Sequence, residues 1–128
     1  MKKILCGILA AAMLLSSVPC AFAEGNVYRD IYVDVNGSDS AAGDKASPFA
    51  TLLRAQEEVR KINADMTGDI VVHLGEGTFR LEDRMLFTTE DSGKNGYNVI
   101  WQGAEGDKTA VSGGEQIGGF KASEEYEG

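Results

Sequence analysis

Between Asp69 and Gly114 the chain runs twice through the same order of short, β-prone segments, and no other feature limits its fold as much. The first pass reads Ile70–Leu74, Thr78–Leu81 and Met85–Thr88. The second reads Val99–Gly103, Thr109–Ser112 and a weaker run at Gln116–Ile117. Ile70 and Val99 are offset by 29 residues, Thr78 and Thr109 by 31. Short strands recurring at a period of this size are the signature of stacked coils, in which each turn of chain packs only on its neighbours. Side chains alternate along a strand, so Ile70, Val72 and Leu74 share one face, with Val71 and His73 opposite. Val99, Trp101 and Gly103 should then stack on the first set, and Gln102 on His73. Gly75, Gly77, Gly103, Gly106, Gly113 and Gly114 mark the corners, where glycine tolerates positive φ.

The start of the chain belongs to targeting. Met1-Lys2-Lys3 is a basic opening, Ile4–Leu15 an apolar core, and Ala21-Phe22-Ala23 a small-x-small cleavage site, the order of a secretory signal peptide over residues 1–23. The apolar run is shorter than the roughly 20 residues a membrane span needs. Pro19 before Cys20 argues against lipidation at that cysteine. Both cysteines, Cys6 and Cys20, leave with the leader, so residues 24–128 contain no disulfide although a secreted compartment would permit one. The expected localisation is secreted, extracellular or periplasmic. The formal net charge of the whole chain is −8 and becomes more negative once Lys2 and Lys3 are removed. That charge excludes nucleic acid and anionic membrane surfaces as partners, because both require a basic footprint.

In the mature chain, Val27–Val35 alternates as a strand with Ile31, Val33 and Val35 on one face, and ends at the turn dipeptide Asn36-Gly37. A polar loop runs to Ser47. Ser47-Pro48 reads as a helix start, serine capping and proline in the first turn. Phe49, Leu52, Leu53, Ala55, Val59 and Ile62 form an apolar stripe, with Arg54–Glu58 and Glu57–Lys61 as i,i+4 charge pairs opposite. The helix should fade near Asn63, and Gly68 ends the connection.

Taken together, several of these segments resemble a known family. Tyr32-Val33 with Asn36-Gly37-Ser38-Asp39, then Ser47-Pro48-Phe49-Ala50-Thr51-Leu52 with Ala55, are similar to the opening of secreted right-handed parallel β-helix proteins of the pectate-lyase-like superfamily. So are Gly75-Glu76-Gly77-Thr78-Phe79, Glu90-Asp91-Ser92-Gly93 and Ser112-Gly113-Gly114 with Ile117. The resemblance covers nearly all of Tyr28–Phe120. It implies a mainly β fold in which residues 24–128 form an N-terminal cap, strand plus amphipathic helix, and about the first two coils of a right-handed parallel β-helix. It further implies a carbohydrate-active parent, a polysaccharide hydrolase or lyase. Catalytic groups in such proteins sit on later coils, so this stretch reads as an N-terminal fragment, inactive alone, with polysaccharide as a partner of the coils that follow. A non-catalytic surface, adhesion or carbohydrate-binding module is the alternative from another class.

Within residues 24–128 no catalytic, cofactor-binding or metal site is assigned. His73, the only histidine, should point outward, where a solvated or hydrogen-bonded role competes with ligand contact or general-base work. Asp34, Asn36, Ser38, Asp39 and Asp44 superficially suggest a Ca²⁺ loop, but the sixth and twelfth positions, Asp39 and Lys45, break the EF-hand pattern. No cofactor is evident, and Ca²⁺ is the one ion this loop brings to mind. Glu82-Asp83, Glu90-Asp91 and Glu124-Glu125 supply acids, yet neighbours on a strand face opposite ways and cannot form a glycosidase pair by themselves. Arg80 and Arg84 are the bases available for lyase chemistry. Trp101 reads as core before sugar platform. Asn36-Gly37-Ser38 matches a glycosylation sequon, although the turn itself accounts for Asn-Gly.

Overall fold

The computed structural model describes residues 25–119 and 121. The leader over residues 1–23, Phe120 and Glu124-Glu125 lie outside the described residues. β1 spans Val27–Val33, α1 Leu52–Ile62, β2 Asp69–Leu74, β3 Gly77–Arg80, β4 Val99–Gln102 and β5 Thr109–Ser112. Short 3₁₀ turns follow α1 at Asn63–Asp65 and precede β4 at Thr89–Asp91.

Every strand pair is parallel. β1, β2 and β4 form one sheet in that order, and β3 and β5 form a second. The passes therefore stack, strand on equivalent strand. Ile70 pairs with Val99, Val72 with Trp101 and His73 with Gln102, the alignment the repeat predicts. In the second sheet Gly77, not Thr78, pairs with Thr109, an offset of 32 in place of 31. The corner from β4 to β5 is longer than the Gly75-Glu76 corner from β2 to β3, and it absorbs the difference. The one-residue shift matters because the side-chain period is two: Phe79 now sits beneath Val111.

The third run of each pass is not a strand. At Met85–Thr88 the backbone is claimed by side chains of α1 instead of a ladder: the Leu86 carbonyl accepts from Gln56 Nε2 at 2.9 Å and Arg60 Nη2 at 3.3 Å. Gln116–Ile117 is also outside any strand, and Ile117 is exposed.

The helix starts later than Ser47-Pro48. Phe49 pairs in parallel fashion with Val33, its N–H donating to the Tyr32 carbonyl and its carbonyl accepting from Asp34 N–H, both at 2.9 Å. A backbone committed to β1 cannot open a helix, so the cap falls on Thr51, whose Oγ1 accepts from Arg54 N–H at 3.1 Å. Asp39 holds that cap by accepting from the N–H groups of Ala50 and Thr51, both at 2.9 Å, and from Thr51 Oγ1 at 2.8 Å. Gly43, at φ 75°, allows the loop to close over Phe49; a Cβ there would come within 2.3 Å of the ring.

The inward face of β1 and β2 supplies Ile31, Val33, Ile70 and Val72, and α1 supplies Leu52, Ala55 and Val59. With Phe49, Met66 and Phe79 they form one buried cluster. Val35, expected on the same face as Ile31 and Val33, lies beyond β1 in the turn and is exposed. Arg54 and Glu58 pair at 3.0 Å as expected. Lys61 approaches Glu58 at 3.8 Å, and no Glu57–Lys61 pair forms. Trp101 packs against the core, as its alternation predicts, and meets Phe87 edge-on at 5.6 Å.

Candidate functional site

The outward face of the three-stranded sheet gathers the groups best suited to meet a ligand. Parallel pairing places Tyr32, His73 and Gln102 in one column across β1, β2 and β4. The Tyr32 and His73 rings stack at 4.7 Å and 16°, and His73 Nε2 lies 2.8 Å from Asp30 Oδ1. A groove of about 310 Å³ opens beside this column, lined by Tyr32, Asp34, Lys45, Pro48, His73 and Gly75. The two rings spend facing sides on each other, and the groove presents the apolar Val33 and Leu74 as well as the Asp34 carboxylate and the Lys45 ammonium. His73 is thus the outward histidine foreseen from sequence. Its Asp30 and Tyr32 partners come from β1, some forty residues earlier, and no local pattern announces them.

The carboxylates of the Asp34–Asp44 loop turn to separate tasks. Asp34 accepts from Asn36 N–H at 2.8 Å, Asp39 holds the helix cap, and Asp44 accepts from Ala46 and Ser47 N–H at 3.0 and 2.7 Å. Among the described residues, no three His, Cys, Asp or Glu side chains are grouped to hold a metal ion.

A second groove, about 370 Å³, lies along the other sheet and is lined by Arg80, Leu81, Glu82, Gly113, Gly114 and Glu115. Arg80 Nη2 donates to Gln116 Oε1 at 3.0 Å across it. Stacking brings Glu82 and Glu115, from successive passes, to the same groove. Sequence reasoning set Glu82-Asp83 aside as a pair and could not single out Glu115, because only the stacking of passes relates it to Glu82. Arg84 lies on the exposed corner after β3.

Asp91 is the acid whose surroundings perturb it most. The hydrogen bonds from Arg60 hold its carboxyl down at about 2; burial opposes this, and the Thr88 N–H reinforces it. Arg60 Nε and Nη2 reach the two carboxylate oxygens at 2.7 and 2.9 Å, and Thr88 N–H donates at 2.7 Å within a capping box. This carboxylate fastens α1 to the segment before β4. Asn63 adds to the fastening by donating to the Glu90 and Ser92 carbonyls, and Asn95 by donating to those of Ala64 and Met66.

With this geometry in view, comparison with solved structures finds a chain described as a glycoside hydrolase. It is 29% identical, with a TM-score of 0.67 over 74% of the present chain. The present chain spans 16% of the length of that protein. No family model matches the sequence, and no curated protein matches it either. The solved structure thus shares the arrangement of strands and helix described above over most of this chain. Among the described residues, no helix is long and apolar enough to cross a membrane.

Proposed function

We propose that this chain is the N-terminal portion of a secreted, carbohydrate-active protein. In this reading β1 and α1 cap a right-handed parallel β-helix, and β2–β3 and β4–β5 are its first two coils. The observation that carries the proposal is the likeness to a glycoside hydrolase at 29% identity and TM-score 0.67, joined to parallel strands stacked pass on pass. Fold alone does not set chemistry, so the class of activity rests on that neighbour. The role of the described residues is to found the stack. Asp39, Asp44 and Asp91 are engaged in caps and clamps, and in this reading hydrolysis or lyase chemistry belongs to groups on later coils.

The test is to assay the secreted polypeptide bearing this N-terminus on a panel of polysaccharides, alongside purified Glu24–Gly128. Release of reducing ends by the whole protein, with none from Glu24–Gly128, is expected. Unsaturated uronate products would assign a lyase within the same reading. Binding without turnover would establish the non-catalytic module instead, and neither binding nor turnover would sink the carbohydrate reading.

A further inference from the structure

An endopeptidase must straighten a short run of its substrate and pair with the backbone of that run, so it cuts where a chain makes few backbone hydrogen bonds of its own. The segment leaving β3 is such a run. Leu81 N–H donates to the Ser112 carbonyl at 2.9 Å. The next backbone groups held are the Leu86 carbonyl, taken by Gln56 and Arg60, and the Thr88 N–H, taken by Asp91. Among the described residues, no backbone group of Glu82, Asp83, Arg84 or Met85 has a hydrogen-bond partner. Glu82, Asp83 and Arg84 are exposed, and the chain returns to the core only at Met85. The second pass does not cover them. At the 32-residue offset between β3 and β5 their counterparts are Gly114, Glu115 and Gln116, each exposed, and Gln116 turns its side chain to Arg80.

The other basic residues from Gly25 to Gly119 are held by their surroundings. Arg29 and Arg80 lie in strands, and Arg54, Arg60 and Lys61 in α1. Lys45 is in a loop, but Asp44 takes the N–H groups of the two residues after it, Ala46 and Ser47. Lys94 donates its N–H to Met66 Sδ and accepts Tyr97 N–H on its carbonyl. The Lys108 carbonyl accepts Gly77 N–H at 2.8 Å. Within this span, and among the described residues, Arg84 is the basic residue whose backbone and whose neighbours on both sides are unengaged.

We propose that the Arg84–Met85 bond is a processing site for trypsin-type endopeptidases, and that the two pieces stay together after the cut. Water adds across this bond, leaving a carboxylate on Arg84 and an amine on Met85. An enzyme of this class admits a basic side chain to a pocket that ends in a carboxylate. Glu82 and Asp83 make the run a poor substrate by charge, so a preference for it comes from the fold. The contacts that join the two pieces all span the cut: β2 pairs with β4, β3 with β5, and Arg60 and Asn63 hold Asp91 and the carbonyls of Glu90 and Ser92. The proposal is independent of the carbohydrate reading, which its failure would leave untouched.

Brief trypsin treatment of the 128-residue chain, with the fragments identified by mass, tests it. The first cut between Gly25 and Gly119 should fall after Arg84, and the products should co-elute at the size of the uncut chain until urea parts them. In a chain held in urea from the outset, Arg84 should lose its lead over Lys45 and Lys108. Arg84→Gln should slow the first cut in this span by about 10-fold or more. Asp83→Arg in that background should restore the cut one bond earlier, because the fold leaves the backbone of the whole run open. A first cut at any other site in the span, an unchanged rate in Arg84→Gln, or no restoration by Asp83→Arg overturns the assignment. Fragments that separate without urea overturn the two-piece form.

Discussion

Replacing Asp91 with asparagine is the sharpest test of how the helix is held. The carboxyl is held at about 2 against an ordinary 3.8, a difference worth roughly 2 kcal/mol at neutral pH. The Asp91 side chain is 3% exposed but that of Arg60 is 35% exposed, so water screens part of the attraction and about 1–1.5 kcal/mol is the fair expectation. For a domain of this size that corresponds to a fall in Tm of roughly 5–10 °C. The sign with pH follows from the depressed value. The unfolded chain takes up the proton first, so this contribution is complete well above the unfolded value, declines as pH falls through about 4, and is lost only below the folded value near 2. Urea unfolding followed by circular dichroism should therefore show Asp91→Asn less stable than the parent at pH 7, with the two curves converging as the pH approaches 2. A difference below about 0.5 kcal/mol at pH 7, or one that persists undiminished at pH 2, would refute the reasoning.

Two further substitutions examine the cap and its loop. Thr51→Ala removes both the helix cap and a hydrogen bond to Asp39 and should cost about 1 kcal/mol, whereas Ser47→Ala should stay within about 0.5 kcal/mol; equal effects in urea melts would return the helix start to Ser47. Gly43→Ala meets both a positive φ of 75° and the Phe49 ring, and should destabilise by more than the ~1 kcal/mol of a backbone penalty alone. Gly113→Ala, with open space around it, should be close to neutral in the same assay.

The contacts of α1 also explain why the third run of the first pass misleads. Met85-Leu86-Phe87-Thr88 has β-prone composition, and composition alone cannot know that Gln56 and Arg60, thirty residues earlier, will take the Leu86 carbonyl. The same limit applied to Phe49. It fits the apolar stripe of the helix, yet its backbone is spent on β1, where it closes an edge that would otherwise stand open. In the candidate site, the outward placement of His73 was legible because alternation along one strand decides it. Its stacking on Tyr32, its contact with Asp30 and the meeting of Glu82 with Glu115 were not, since each joins residues from different passes.

What the sequence determines by itself is whatever a local period can carry. The alternation of Ile31 and Val33 in β1, the amphipathic stripe of α1 and the 29-residue return of Ile70 at Val99 follow from side-chain spacing and are found in the fold, whereas in β2 Val71, expected opposite Ile70 and Val72, is buried as well. The tertiary structure alone decides which backbone groups remain free. That choice moved the helix start to Thr51, shifted β5 by one residue under the longer Gly103–Lys108 corner, and left Val99, Trp101 and Val111 with no strand beside them among the described residues. The physical reason is that a hydrogen-bonding backbone must be satisfied by whatever is nearest in space, and nearness between passes is not written in the spacing of residues along either one.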